Sequence, residues 1–213
     1  GSWQFSQAVG LDKSNGKEGC AAVRLINLLC PAGKTFFSHL YTLHTRRRPP
    51  FSYGFCPHRR REQALLIQNI VTWKLRRLQA LHPSKSSLFS HTNTMRDISN
   101  AFPSASHEAL NDSMDRHFDQ HTARILKLRY TQTWIQITSA TGHNVILQPH
   151  QGGLQGDGCM PGMFAGVYEP IVRDWITWKE HMLPSTIRAF DPFTRTIQEV
   201  GTTLFADDIR ELN

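Results

Sequence analysis

Thr202-Thr203-Leu204-Phe205-Ala206-Asp207-Asp208-Ile209 is an apolar strand pattern that ends on two adjacent carboxylates. Like charges set side by side after a buried strand are costly unless a cation neutralises them. Adjacent acids also occur in exposed turns, so the pair points to a metal only if a distant partner joins it. Asp97, 110 residues upstream of Asp207, opens a second short and partly apolar segment, Asp97-Ile98-Ser99-Asn100-Ala101-Phe102. Three carboxylates meeting on adjacent strands would make a magnesium site, and two such ions can clamp the attacking and leaving oxygens of an in-line phosphoryl displacement. The reaction class this chemistry implies is nucleotidyl transfer.

Working outward, Gln151 to Gly158 is glycine-rich and precedes a helical pattern from about Met163 to Met182. Trp134 to Ser139 alternates, with Ile135 and Ile137 on one face, and a turn at Thr141-Gly142-His143-Asn144 leads into Val145-Ile146-Leu147, predicting a hairpin. Met95-Arg96-Asp97-Ile98 reads as a short strand running into a helical stretch from Ser104 to about Phe118, after a Ser-rich connector from Pro83 to Thr94. From Arg61 to about Leu81, Ala64, Leu65, Ile67, Ile70, Val71, Leu75 and Leu78 recur at the helical period. Val23 to Leu43 is apolar and interrupted by Pro31 and Gly33, predicting a strand, a turn and a helix. Residues 1–20 show no clear period.

With 213 residues and 39% hydrophobic content the chain can bury a core, as one large domain or two small lobes. Residues 1–100 hold 15 Lys and Arg against 4 Asp and Glu, a charge of +11, whereas residues 101–213 hold 9 against 13, or −4. The first half therefore suits phosphate. Arg46-Arg47-Arg48 and Arg59-Arg60-Arg61 flank Pro49, Pro50 and the aromatics Phe51, Tyr53 and Phe55, a loop suited to phosphate contacts and base stacking. Cys20, Cys30, Cys56 and Cys159 form no C-x-x-C pair and read as reduced thiols, and Cys56 with His58 is too few ligands for structural zinc. Of the eleven histidines, only His117 and His121 have a spacing that would put two ligands on one helix face. No run reaches the ~18 apolar residues of a membrane span, so membrane partners are not expected.

Five blocks, in order, resemble those of non-LTR (LINE-like) retrotransposon reverse transcriptases. Val23-Arg24-Leu25-Ile26-Asn27-Leu28-Leu29 with Gly33-Lys34 is similar to the family's R-P-I-S-L-L…G-K, with Leu25 in place of proline. Tyr53 to Ala64 keeps the frame of Q-x-G-F-R-x-G-R-S-T. Asp97 to Phe102 resembles D-L-S-K-A-F, and Pro103 replaces a common second aspartate. Gly152-Gly153-Leu154-Gln155-Gly156-Asp157 with Pro161 and Phe164 resembles G-V-R-Q-G-D-P-L-S-P-L-L-F, departing at Gly153, Leu154, Gly158 and Met160. Phe205-Ala206-Asp207-Asp208 matches the aromatic-Ala-Asp-Asp signature.

The resemblance implies an α/β (α+β) fold of right-hand polymerase fingers and palm: a basic, mainly helical fingers region at 1–95, and at 96–213 a palm of antiparallel strands backed by helices. The thumb, the primer-gripping segment and the second strand of the Asp-Asp hairpin would lie beyond Asn213. Asp97 and Asp207 would bridge two Mg2+ ions, for which Mn2+ can substitute, with support from Asp208 and the carbonyl of Ile98. Arg24 and Lys34 would reach the triphosphate, Phe102 would exclude a ribose 2′-hydroxyl, and Gln155 and Gly156 would lie near the template–nucleotide pair. Partners would be an RNA template, a DNA primer, a dNTP and the rest of a retroelement polyprotein, with a thumb and, in elements that carry one, an endonuclease. The place of work would be intracellular, in nucleus and cytoplasm for a eukaryotic element.

Three other readings fit the residues: an inactive retroelement fragment or basic binding module; an intron maturase or viral RNA-dependent RNA polymerase of the same palm architecture; and a non-enzymatic RNA-binding protein whose Asp207-Asp208 is an exposed turn. Phe205-Ala206 ahead of the aspartates favours the retroelement over the viral enzymes, which usually place glycine there.

Overall fold

The computed structural model describes residues 2–13, 16, 18–43, 48–83, 92–98, 101–139, 141–182, 186–192 and 195–212. Its strands and helices gather into two units, each discontinuous in sequence: Gly1–Arg47 with Asn100–Tyr168, and Arg48–Ser99 with Glu169–Asn213. Strand pairing over long separations is the cause. β1 (Phe5–Asp12) pairs antiparallel with β2 (Val23–Leu29) and parallel with β4 (Trp134–Thr138), so that Phe5 lies opposite Trp134. With β5 (Asn144–Leu147), the other arm of the predicted hairpin, these strands form a sheet in the order β2-β1-β4-β5. The segment expected to be mainly helical therefore also contributes two strands.

In this first unit, α1 (Pro31–Thr42) follows β2 as predicted, with Pro31 starting the helix at a position where its missing N–H leaves no bond unmade. The predicted helical stretch from Ser104 to about Phe118 is α4 (His107–His117), preceded by the single turn α3 (Ala101–Ser104). The unpredicted α5 (Gln120–Thr131) comes next. Leu110, Met114 and Phe118 project at helical spacing from α4 and its end, Ala123, Leu126 and Tyr130 from α5, and all are buried. The first turns of α6 (Met160–Met182) bury Met163, Phe164 and Tyr168 in the same unit.

The second unit is built on a three-stranded antiparallel sheet, β3 (Asn93–Arg96), β9 (Asp208–Leu212) and β8 (Thr202–Phe205), in that order. The second hairpin strand, expected beyond Asn213, is β9 itself: Ile209 and Leu212 are buried and hold it in the core. α2 (Arg61–Leu81) has the predicted bounds, and its buried Gln68 donates from Nε2 to the carbonyl of Gly201 at 2.9 Å. Val172 and Ile176 of the later part of α6 complete this core. A small unpredicted hairpin, β6 (Arg188–Asp191) and β7 (Thr196–Glu199), precedes β8. No described helix is long and apolar enough to cross a membrane.

Candidate active site

The two acidic segments end up on one sheet of the second unit. β3 pairs with β9 from Asn93 opposite Leu212 to Arg96 opposite Ile209, so Asp97 follows directly on the paired strand. β8 and β9 close as a hairpin, Phe205 opposite Asp208, around Ala206 and Asp207. Asp97 and Asp208 are exposed, while Asp207 and Ile98 are half-buried. Asp208 is raised above its ordinary value by partial loss of hydration first, then by the carboxylates of Asp207 and Asp97, with the Arg61 guanidinium opposing. Asp208 therefore feels the charge of both of the other predicted carboxylates.

Among the described residues no three His, Cys, Asp or Glu side chains are grouped as a ready cage for a metal ion. Magnesium does not require one, because it is usually held by one or two carboxylates, waters and substrate phosphates. A hard, oxygen-only donor set with mutually repelling carboxylates has the chemistry to accept such an ion.

The hairpin tip rests on the loop 48–60. Tyr53 donates its backbone N–H to the carbonyl of Leu204 at 2.7 Å, and Leu204 donates to Phe51 at 2.8 Å. A Cβ on Gly54 would lie 2.1 Å from the backbone nitrogen of Ala206, which itself has a left-handed φ of 59°. The contact explains why glycine stands in this block.

The arginines expected to hold nucleic acid divide. Arg48 is largely buried and donates from Nε to Glu169 at 2.6 Å. Arg59 donates to the carbonyls of Pro49 and Ser52, and its guanidinium lies 5.9 Å from the centre of the Tyr53 ring. Arg59 is thus taken up by its own loop, whose irregular backbone needs partners for its carbonyls, and Arg48 by Glu169 of α6. Arg60 and Arg61 are exposed, and Arg46 and Arg47 lie outside the described residues.

The residues expected to bind nucleotide all belong to the first unit. Phe102 packs edge-on against Phe164 at 5.3 Å between ring centres. The glycine-rich loop is tied beside it: Gly153 donates to the carbonyl of Phe102 at 3.0 Å and Gly152 to that of Ala105 at 2.6 Å. Gly152, at φ 78°, leaves 2.6 Å between its Cβ direction and Pro103, so a side chain has no room there. Asn27 of β2 donates to the carbonyl of Gln155 at 2.8 Å. A Cβ on Gly156, at φ 106°, would meet the Asn27 carbonyl at 2.7 Å.

Leu25, Asn27, Pro103, Ile135, Gln151 and Gln155 help line a cleft of about 350 Å³ in this unit, and the buried Oε1 of Gln155 accepts no hydrogen bond among the described residues. Arg24 and Lys34 are exposed, the Cε of Lys34 lying 4.0 Å from the Cβ direction of Gly158.

Sequence reasoning missed Arg129 and Asp157, whose ion pair of 2.5 Å is almost wholly buried, with Arg129 also donating to the carbonyl of Trp3 at 2.6 Å and lying over Phe37. Asp157 was visible as part of the glycine block, but nothing in the spacing gave its partner. His117 ends α4 whereas His121 belongs to α5, so they share no helix. Cys30, Cys56 and Cys159 are free thiols, as expected.

Neither the family models nor the curated proteins contain a match to this chain. Solved structures of telomerase do resemble it. The Candida tropicalis enzyme with a three-way-junction fragment of telomeric RNA superposes with a TM-score of 0.62 at 9% identity, covering 100% of this chain and 36% of that one. The Candida albicans enzyme with the same kind of fragment gives 0.57 at 10% identity, covering 99% and 38%. Apo telomerase from Candida tropicalis lacking its C-terminal domain gives 0.53 at 12%, covering 99% and 44%. The chain thus spans less than half the length of these proteins and shares with them a mixed α/β fold.

Proposed function

We propose that this chain is the polymerase region of a non-LTR retrotransposon reverse transcriptase, joining a deoxynucleotide to a primer 3′-hydroxyl under direction of an RNA template. The observation that carries the reading is the antiparallel sheet β3-β9-β8, in which the strand before Asp97 pairs with the hairpin that bears Asp207 and Asp208. The sheet takes the part of a palm, and β1, β2, α1 and α2 that of fingers. Asp97, Asp207 and Asp208, with the Ile98 carbonyl, are the groups that would hold Mg2+ or Mn2+. Bound there, two such ions supply Lewis acidity to the attacking hydroxyl and to the leaving pyrophosphate.

The chain's other residues would act by position and charge. Arg24 and Lys34 offer exposed cations to a triphosphate. Phe102 presents a ring fixed by Phe164, which suits exclusion of a 2′-hydroxyl. The Gln155 side chain has an acceptor with no partner among the described residues, in a cleft, a group ready for a base or sugar donor, and Gly156 allows close backbone approach. The RNA fragments in the telomerase structures support RNA as a partner.

The test is single-nucleotide addition of dTTP to oligo-dT annealed to poly-rA, with Mg2+ or Mn2+, beside Asp97→Ala and Asp207→Ala. Addition that both substitutions abolish supports the polymerase, and Phe102→Ala then admits rUTP more readily. Wild-type chain that binds the duplex yet adds nothing with either metal sinks the enzyme reading and leaves a nucleic-acid-binding module.

A further inference from the structure

β3 is an edge strand of four residues with almost nothing apolar to hold it. Asn93, Met95 and Arg96 are exposed, Met95 by 74%, and Thr94 is half-buried. Register in a strand is normally set by the face that enters the core, and a slip of one residue turns every side chain over. A slip here would remove Asp97 from the hairpin carboxylates. Two polar clasps instead tie β3 to β9, each reaching diagonally across the pair. Arg210 donates from Nε to Asn93 Oδ1 at 3.1 Å at one end. At the other, Arg96 Nη2 lies 3.3 Å from Glu211 Oε2, and the guanidinium sits 5.0 Å over the Trp175 ring.

Glu211 is fully buried, so its charge must be compensated. Trp175 donates from Nε1 to Glu211 Oε1 at 2.5 Å, and Lys179 Nζ lies 3.8 Å from the same oxygen. Lys179, also buried, donates to Glu199 at 3.1 Å and to Thr202 Oγ1 at 2.8 Å. Glu211 Oε2 accepts no hydrogen bond among the described residues, which leaves Arg96 as its nearest compensating charge. The residue next to Asp97 is thereby fastened to α6 and to both strands of the hairpin.

We propose that Glu211, acting through Arg96 and Trp175, is a positioning residue that fixes the register of β3 and so keeps Asp97 beside Asp207 and Asp208. This rests on the metal reading given above. Arg96 does not touch the reacting atoms; it decides where the neighbouring carboxylate stands. Supporting groups of this kind typically change metal affinity by about 10–100-fold when removed.

The experiment is Mn2+ binding followed by electron paramagnetic resonance of the free ion, with thermal melting in metal-free buffer. The chains compared are wild type, Arg96→Gln, Arg96→Lys, Glu211→Gln, Asp97→Ala and Asp207→Ala. Because Trp175 and Lys179 still compensate Glu211 at its other oxygen and the Arg96 side chain is half exposed, Arg96→Gln should melt within about 3 °C of wild type. Its Mn2+ affinity should fall about tenfold or more. Arg96→Lys should recover part of that loss by keeping the charge. Faster exchange of the amides at Met95 to Ile98 in Arg96→Gln should accompany the loss.

Wild-type Mn2+ affinity in Arg96→Gln overturns the proposal, as does an affinity loss matched by a collapse in melting temperature. Glu211→Gln is informative if it folds, and Arg96→Gln decides the matter if it does not. If Asp97→Ala and Asp207→Ala abolish binding while Arg96→Gln does not, only the positioning role fails. If neither aspartate matters to Mn2+, the metal reading falls as well.

Discussion

Gly54 is glycine because Ala206 occupies the space a side chain would need. Ala206 in turn holds a φ of 59°, which costs an L-residue roughly 1–2 kcal/mol and which glycine would adopt freely. The two positions should therefore respond oppositely. Ala206→Gly should leave stability unchanged or raise it by about 1 kcal/mol. Gly54→Ala forces the hairpin tip away from the loop, an overpacking that typically costs about 1–3 kcal/mol. Urea midpoints measure both. Nucleotide addition should survive Ala206→Gly and fall with Gly54→Ala, since the displaced residue is joined to Asp207. A Gly54→Ala chain as stable as wild type would mean that the loop yields and does not set the tip.

At the scale of elements, α5 starts where Asp119 accepts from the backbone N–H groups of His121 and Thr122, both at 3.0 Å. Asp119→Ala should cost about 1 kcal/mol in urea unfolding, and Asp119→Asn much less, since asparagine caps about as well. The capping aspartate was the readable sign of this helix, but the cations Arg124, Lys127 and Arg129 among its apolar residues blurred the period. β8 was legible to its bounds because its run is buried, and α2 because its apolar positions keep the helical period even though Leu65, Ile70 and Leu78 stay exposed. β1 was not, for it inverts the usual rule: Ser6 and Ala8 are buried, while Phe5, Val9 and Leu11 are exposed on the other face. The β6–β7 hairpin leaves Phe190 and Ile197 exposed and has no buried stripe to read. Of the candidate site, the aspartates were legible because adjacent charges need a reason. The Arg129–Asp157 and Arg96–Glu211 pairs were not, because each joins residues distant in sequence through tertiary packing alone.

For the whole molecule, the charge contrast between the halves of the sequence does not survive folding. The interleaved units hold 10 Lys and Arg against 7 Asp and Glu, and 14 against 10, or +3 and +4. Phosphate binding then depends on local display, and α2 offers exposed Arg61, Lys74, Arg76 and Arg77 with Glu62 as its one acid. Replacing Arg76 by Ala should lessen the slope of log K against log salt by about 0.7–0.9, while Arg59→Ala should lower stability and leave the slope nearly unchanged. A fluorescence titration on a duplex at several salt concentrations separates the two.

Global stability should also fall at alkaline pH, and the first unit supplies the reason. Burial, then Asp157, holds the Cys159 thiol well above its ordinary value, with Arg129 partly opposing. Burial, then Asp115 and Cys159, raises the Tyr130 phenol, whose hydroxyl donates to Asn111 at 2.9 Å. Each group stays protonated in the fold while the unfolded chain ionises at about 8.5 for the thiol and about 10 for the phenol. The unfolded state then binds fewer protons, so stability is whole below about pH 8.5 and declines above it by up to about 1.4 kcal/mol per pH unit for each group. Urea midpoints between neutral and strongly alkaline pH should therefore drop in two stages, and Cys159→Ala should remove the first. Parallel profiles for the two proteins would show that the thiol ionises as readily inside the fold as outside it.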